Sequence, residues 1–246
     1  MTDLDKMRAA GTLASRTLDF IRPYIVSGIT TGELNELCYQ FTLDNDAIPA
    51  PLGYKSYPKS VCISVNHVIC HGIPGDKKLK NGDILNIDVT PILDGWHGDT
   101  SRMFHVGKPS IKANNLITAT YDAMMYGIRV IKPGATIGDI GHAISSSIAK
   151  TRFSVVTDYC GHGIGKVFHE LPQVLNEGVP GEGMVLKEGM FITVEPMVNI
   201  GKPDTKKLSD GWTVVTKDKT LSAQWEHTIA VVKDGYEILT LSELDI

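Results

Sequence analysis

The chain carries two copies of one pattern, and that duplication constrains its fold more than any other feature. Residues 25–34 and 131–140 share Gly-x-Thr-x-Gly-acid-aliphatic at an offset of 106 residues. In each copy the threonine, Thr30 or Thr136, is a suitable helix N-cap. The acid three residues on, Glu33 or Asp139, can return a hydrogen bond to it. Helices therefore begin here, with Leu34, Leu37, Cys38 and Phe41 on one face in the first copy. Ile140, Ala143, Ile144 and Ile148 form that face in the second. Another helical pattern precedes each: Met7, Ala10, Ala14, Leu18 and Ile21, then Leu116, Ala119, Ala123 and Val130. The match resumes at an offset of 107, where residues 79–88 align with 186–195. Asp88 and Glu195 are therefore equivalent positions in a helix-helix-strand unit. Agreement of caps, glycines, strand and acid favours duplication over chance. We expect an α+β fold: one domain over residues 1–246, with repeats of about 1–110 and 111–246.

Four acids lie in β-patterned stretches where burial of a charge is unfavourable: Asp88, Asp99, Glu195 and Glu226. Asp94-Gly95 is a hairpin signal. With that turn Leu93 opposes Trp96, Thr90 opposes Asp99, and Asp88 lies diagonal to Asp99 on one face. Pro91 cannot donate to a ladder and leaves room for a bulge that would shift this register. Each acid alone could face water, but the intervening stretches 192–194 and 228–232 read as interior. His162 stands among Gly161, Gly163 and Gly165, which permit close backbone approach. Four carboxylates and one imidazole exceed the needs of one small metal site, and a two-metal centre with bridging acids uses them all. The thiolate-free set suits Mn²⁺, Fe²⁺, Co²⁺ or Zn²⁺ better than Mg²⁺.

Composition excludes several classes. A formal net charge of −4 gives no global basic field for nucleic acid or anionic membrane. No apolar run reaches the roughly 20 residues of a membrane helix. The polar start Met1-Thr2-Asp3 lacks the apolar stretch of a signal peptide. Cys38, Cys62, Cys70 and Cys160 show no C-x-x-C spacing, and reduced thiols in a cytoplasmic protein are expected.

The order Asp88, Asp99, His162, Glu195, Glu226 is the ligand order of the pita-bread metallopeptidases of family M24. The local words Cys70-His71-Gly72-Ile73-Pro74, His97-Gly98-Asp99-Thr100, Gly161-His162-Gly163 and Trp225-Glu226-His227-Thr228 resemble type I methionine aminopeptidases of the short bacterial kind. The likeness spans nearly the whole chain. It implies a pita-bread fold with a central antiparallel sheet between pseudo-twofold halves. It also implies two divalent metals on Asp88, Asp99, His162, Glu195 and Glu226, and a metal-bridging hydroxide attacking the first peptide bond. Glu195 takes the place of the family's general base. His71 and His169 match the histidines that contact the scissile amide and steady the tetrahedral intermediate. Tyr54, Tyr57, Cys62, Phe168 and Trp212 match the positions lining the methionine pocket. Pro51 stands where many bacterial members carry cysteine, which bears on the pocket's shape and not on activity.

The resemblance further implies that nascent polypeptides with N-terminal methionine and a small second residue are substrates. The chain's own Met1-Thr2 start then qualifies. A cytoplasmic monomer is expected. Ribosome docking agrees with that role, although no lysine cluster stands out for it. Prolidases and aminopeptidase P share the metal set but usually carry a sizeable N-terminal domain, for which repeats of ~110 residues leave no room. A non-catalytic peptide-binding relative would have lost ligands, and here every one is present.

Overall fold

The computed structural model of the chain describes residues 1–242. The first half runs through helices α1 (Asp3–Ile21) and α2 (Thr31–Asp44) into strands β1 (Cys62–Val65), β2 (Ile84–Val89), β3 (Pro91–Leu93), β4 (Trp96–His97) and β5 (Thr100–His105). The second half begins with α3 (Ile111–Arg129) and α4 (Ile137–Ile148). It continues through β6 (Gly161–Gly163), β7 (Glu170–Val174), β8 (Phe191–Val194), β9 (Met197–Asn199), β10 (Ser222–Gln224), β11 (His227–Val232) and β12 (Gly235–Ile238). Every strand pairing among the described residues is antiparallel, with β1-β2-β5 in one ladder and β7-β6-β8-β11-β12 in another. No described helix is long and apolar enough to cross a membrane.

The sequence repeat reappears in the hydrogen bonds. Thr30 and Thr136 each close a capping box, with Glu33 and Asp139 respectively. The Gly28 amide donates to Leu79 O at 2.8 Å, and its counterpart Gly134 donates to Leu186 O at 2.9 Å. Gly32 donates to Gly75 O, and Gly138 to Glu182 O, so each second helix is tied to the turn before its strand.

Period-two alternation then divides the two faces of each strand. Leu85, Ile87 and Val89 of β2 pack with Leu18, Leu34 and Cys38 under the first pair of helices. Ile192 and Val194 of β8 pack with Leu116, Met124, Ile140 and Ile144 under the second pair. Asp88 and Glu195 follow Ile87 and Val194 and take the opposite face. Both helical layers therefore lie behind the sheet, and the acids lie in front. A smaller cluster of Met7, Ala10, Trp96, Ile164, Ala230 and Leu239 joins the halves. Bonds between Arg102 and Asp19 (2.7 Å) and between Arg8 and Glu237 (2.6 and 2.8 Å) tie α1 to β5 and β12.

The register through the first hairpin is unbroken. Val89 pairs with Thr100 on one side of Pro91, and Ile92 with His97 on the other, so the proline introduces no bulge. Leu93 opposes Trp96. One expectation needs correction: of the four acids only Asp88 lies inside a strand. Asp99 falls between β4 and β5, Glu195 between β8 and β9, and Glu226 between β10 and β11. The cause lies in how their main chains bond. The Glu226 amide donates to Ser101 O at 3.1 Å, and Thr100 Oγ1 donates to Glu226 O at 2.7 Å. Thr228 Oγ1 donates to Asp99 O at 2.7 Å and accepts from the Asp99 amide at 3.3 Å. Asp99 and Glu226 thus stitch one half to the other instead of continuing their own ladders, and Pro196 has no amide to contribute after Glu195.

Candidate active site

Because the two ladders meet at these breaks, the acids converge on one pocket of about 350 Å³. Its walls include all five expected ligands: Asp88, Asp99, His162, Glu195 and Glu226. Asp99, His162 and Glu226 are buried and offer ligand atoms within 4.8 Å of one another. Glu195 Oε1 lies 3.6 Å from His162 Nε2, the same separation as Asp99 Oδ2. Within the unbroken register Glu195 faces Glu226, bracketed by Val194–His227 and Met197–Gln224.

Side-chain donors fix the carboxylates. Thr90 Oγ1 donates to Asp99 Oδ1 at 2.8 Å, and Thr193 Oγ1 to Glu195 Oε1 at 2.8 Å. Thr193 also accepts the His162 amide at 2.9 Å, which joins β6 to the acid. The glycines flanking His162 are required by space. A Cβ on Gly161 would overlap Thr193 O, and one on Gly163 would overlap Leu171 O. His162 Nδ1 lies 2.9 Å from Gly163 O. A carbonyl only accepts, so Nδ1 carries the proton and Nε2 presents a lone pair.

Burial dominates the protonation of these groups. It pushes Asp88 up to about 7 and Glu195 up to about 8, and raises Asp99 and Glu226 well above the carboxylate range. Mutual repulsion among the acids adds to the shift at Asp99 and Glu226. Burial also lowers His162 to about 4, so its ring is neutral. A neutral Nε2 lone pair aimed at anionic oxygens is unfavourable unless a cation lies between them. The donor set therefore fits divalent metal: hard oxygens, one oriented imidazole and no thiolate.

The remaining expected residues line the same pocket: Tyr54, Tyr57, Cys62, His71, Phe168, His169 and Trp212. His71 has φ 55°, a left-handed backbone uncommon for non-glycine residues, which the chain also adopts outside the pocket at Asp46, Asn66 and Asp94. Its ring meets Tyr159 and Trp212 edge-on, each with centroids 5.7 Å apart. The His169 ring stacks on Tyr54 at 5.1 Å and lies 4.3 Å from that of His162. Burial lowers His71 to about 4 and His169 to about 3, where His162 adds to the effect. Tyr57 is buried, and its hydroxyl lies 2.9 Å from Gly72 O and 3.1 Å from Val61 O. It shapes the pocket through its ring. Pro51 also lines the pocket.

Sequence reasoning missed several wall residues, including Lys55, Asp158, Tyr159, Met197 and Gln224. Gln224 carried a signal: it lies two residues before Glu226, the spacing that returns a strand to the same face. Lys55 lies in a single 3₁₀ turn (Tyr54–Ser56) and Tyr159 in a loop, segments too short or irregular for a periodicity to be read.

Comparison with known proteins settles the family. The model described as "Metallopeptidase family M24" matches residues 5–233. The chain belongs to this family. A methionine aminopeptidase of Rickettsia prowazekii (strain Madrid E) is 63% identical over 98% of this chain and 93% of its own length. One from Escherichia coli (strain K12) is 53% identical over 99% of the chain and 93% of its own. The crystal structure of the Rickettsia prowazekii methionine aminopeptidase superposes with a TM-score of 0.96 at 62% identity, covering 97% of each chain. The pita-bread fold of the M24 metallopeptidases is thereby assigned to this chain.

Proposed function

We propose that the chain removes the N-terminal methionine from nascent proteins and peptides as a metal-dependent aminopeptidase. The observation that carries this reading is the convergence of four acids and a neutral, oriented imidazole on the floor of an aromatic-walled pocket. The near-full-length likeness to methionine aminopeptidases supports the substrate. Asp88, Asp99, His162, Glu195 and Glu226 would hold two divalent ions, Co²⁺, Mn²⁺, Fe²⁺ or Zn²⁺. Two cations balance four carboxylates. Such ions, when bound, polarise the scissile carbonyl and acidify water near neutral pH.

The chain's own residues supply the rest. Glu195, whose Oε1 lies 3.6 Å from His162 Nε2, takes the proton of the attacking water and passes it to the leaving amine. His71 and His169 are neutral and donate hydrogen bonds to the peptide unit under attack. Tyr54, Tyr57, Cys62, Phe168 and Trp212 enclose the unbranched thioether. A pocket of about 350 Å³ limits the second residue, so alanine or serine there should outperform leucine by about tenfold or more in kcat/KM. We place these groups in a monomeric catalytic domain. We place it in the cytoplasm, acting on chains as they leave the ribosome.

Protein stripped of metal and reloaded with one divalent ion at a time should hydrolyse Met-Ala-Ser and leave Xaa-Pro peptides intact. Glu195→Ala should abolish turnover, and normal turnover in that variant would overturn the mechanism. Preferred cleavage of Xaa-Pro peptides would instead favour a prolidase.

A further inference from the structure

The pseudo-twofold relation is broken at one informative place. Asp88 and Glu195 are counterparts, and so are Thr90 and Met197, at the same offset of 107. Their cross-strand partners must then correspond. Thr90 faces Asp99, to which it donates, whereas Met197 pairs with Gln224. Asp88 pairs with Ser101, whereas Glu195 faces Glu226. Thus Glu226 is the counterpart of Ser101, and Gln224 stands where the first repeat has the acid Asp99.

Gln224 is 2% exposed, lines the pocket, and donates from Nε2 to Glu195 Oε2 at 3.3 Å. Thr193 holds the other oxygen of the same carboxylate, so neutral donors meet both oxygens. The Gln224 Oε1 is buried with no hydrogen-bond partner among the described residues. An unmet buried acceptor is unfavourable for folding, and an apolar side chain of this size would avoid it. Packing alone does not explain a glutamine here.

We propose that Gln224 is a positioning residue for Glu195, and that its neutrality keeps the centre at four carboxylates. This rests on the reading of Glu195 as the proton acceptor. The carboxamide gives the hydrogen bond that orients Oε2 while withholding a fifth negative charge from a site that two divalent cations already neutralise. Both effects come from the chemistry of the amide, and two near-isosteric substitutions separate them. Gln224→Met removes the donor and adds no charge. Gln224→Glu adds the charge.

The test compares wild type, Gln224→Met and Gln224→Glu, each stripped with chelator and then loaded with Mn²⁺ alone. Thermal midpoints with and without Mn²⁺ are measured beside kcat and KM for Met-Ala-Ser. Gln224→Met should keep or raise the metal-free midpoint while kcat falls about 10–100-fold and KM stays within about threefold. A residue with a merely structural role would lose midpoint and activity together, and that outcome overturns the positioning claim, as does an unchanged kcat. Gln224→Glu should lower the metal-free midpoint by about 3 °C or more, and Mn²⁺ should raise it by more than it raises that of wild type. A Gln224→Glu protein that folds only with Mn²⁺ supports the charge claim. One that matches wild type without metal, or folds in neither condition, sinks it. Failure of wild type to cleave Met-Ala-Ser with any divalent metal would overturn the assigned activity instead, and the metal-free midpoints would still read the charge claim.

Discussion

At His162 the bond between Nδ1 and Gly163 O decides which nitrogen faces the acids, and the same kind of argument separates the three pocket histidines. His162 is fixed among ligand oxygens, whereas His71 and His169 are held by aromatic rings, Tyr159 and Trp212 for one and Tyr54 for the other. His71 Nδ1 lies 3.8 Å from Cys70 Sγ, which leaves its Nε2, like the ring of His169, to meet a peptide. Both rings are neutral through burial, so they act as donors without adding cationic charge beside bound metal. His71→Ala and His169→Ala should each lower kcat by about 10²–10³-fold, the range for loss of a donor aimed at developing charge. Metal content by elemental analysis should stay at the wild-type level. Loss of metal together with turnover would make that histidine a ligand instead. At this scale the sequence was informative where neighbours were local. The Asp94-Gly95 turn set the pairing of Thr90 with Asp99, and the structure keeps it through Pro91. Gln224 escaped notice because its importance depends on Glu195, which lies 29 residues away in sequence.

At the scale of elements, the capping boxes made the duplication readable. Thr30 and Thr136 each accept the amide of the acid three residues on, at 3.1 and 3.2 Å. Those boxes lie at helix starts outside the pocket walls, so Thr30→Ala and Thr136→Ala should each lower stability by about 1 kcal/mol with kcat unchanged. The double variant should lose the sum to within about 0.5 kcal/mol, as separate sites do. Urea titration checks this, and a marked excess over the sum would show that the two helix starts are coupled. Helices and caps were legible because their signals lie within one or two turns of chain. The strand breaks at Asp99, Glu195 and Glu226 were not. They arise where Thr100 and Thr228 bond across the halves, and where α1 presses on Gly98 so closely that a Cβ there would meet Ala10 O. Such causes belong to the assembled sheet and leave no period in the sequence.

For the whole molecule, the centre opposes folding unless its charge is balanced, and pH exposes that balance. In the fold Asp88 is raised to about 7 and Glu195 to about 8, from ordinary values of 3.8 and 4.5. Between those limits the folded chain binds more protons at these groups than the unfolded chain, so their effect on stability becomes less favourable as pH rises. His71, His162 and His169 act in the opposite direction. Their values fall from 6.5 to about 4, 4 and 3, so their contribution is complete above pH 6.5 and is lost on acidification. The interval from about pH 6.5 to 8 therefore isolates the acids. Over it, metal-stripped protein should lose stability on the order of 1 kcal/mol per pH unit for each acid that stays protonated in the fold, the loss levelling off as pH passes that acid's folded value. For a chain of this size each such kcal/mol lowers Tm by about 2–4 °C. Protein reloaded with Mn²⁺ should show a much flatter profile, because the cations compensate the ionised carboxylates that bind them. Calorimetric scans of the stripped and reloaded forms across this interval measure the difference directly. Parallel profiles would mean that the four acids ionise in the fold without help from metal, and the electrostatic case for a two-cation centre would fail.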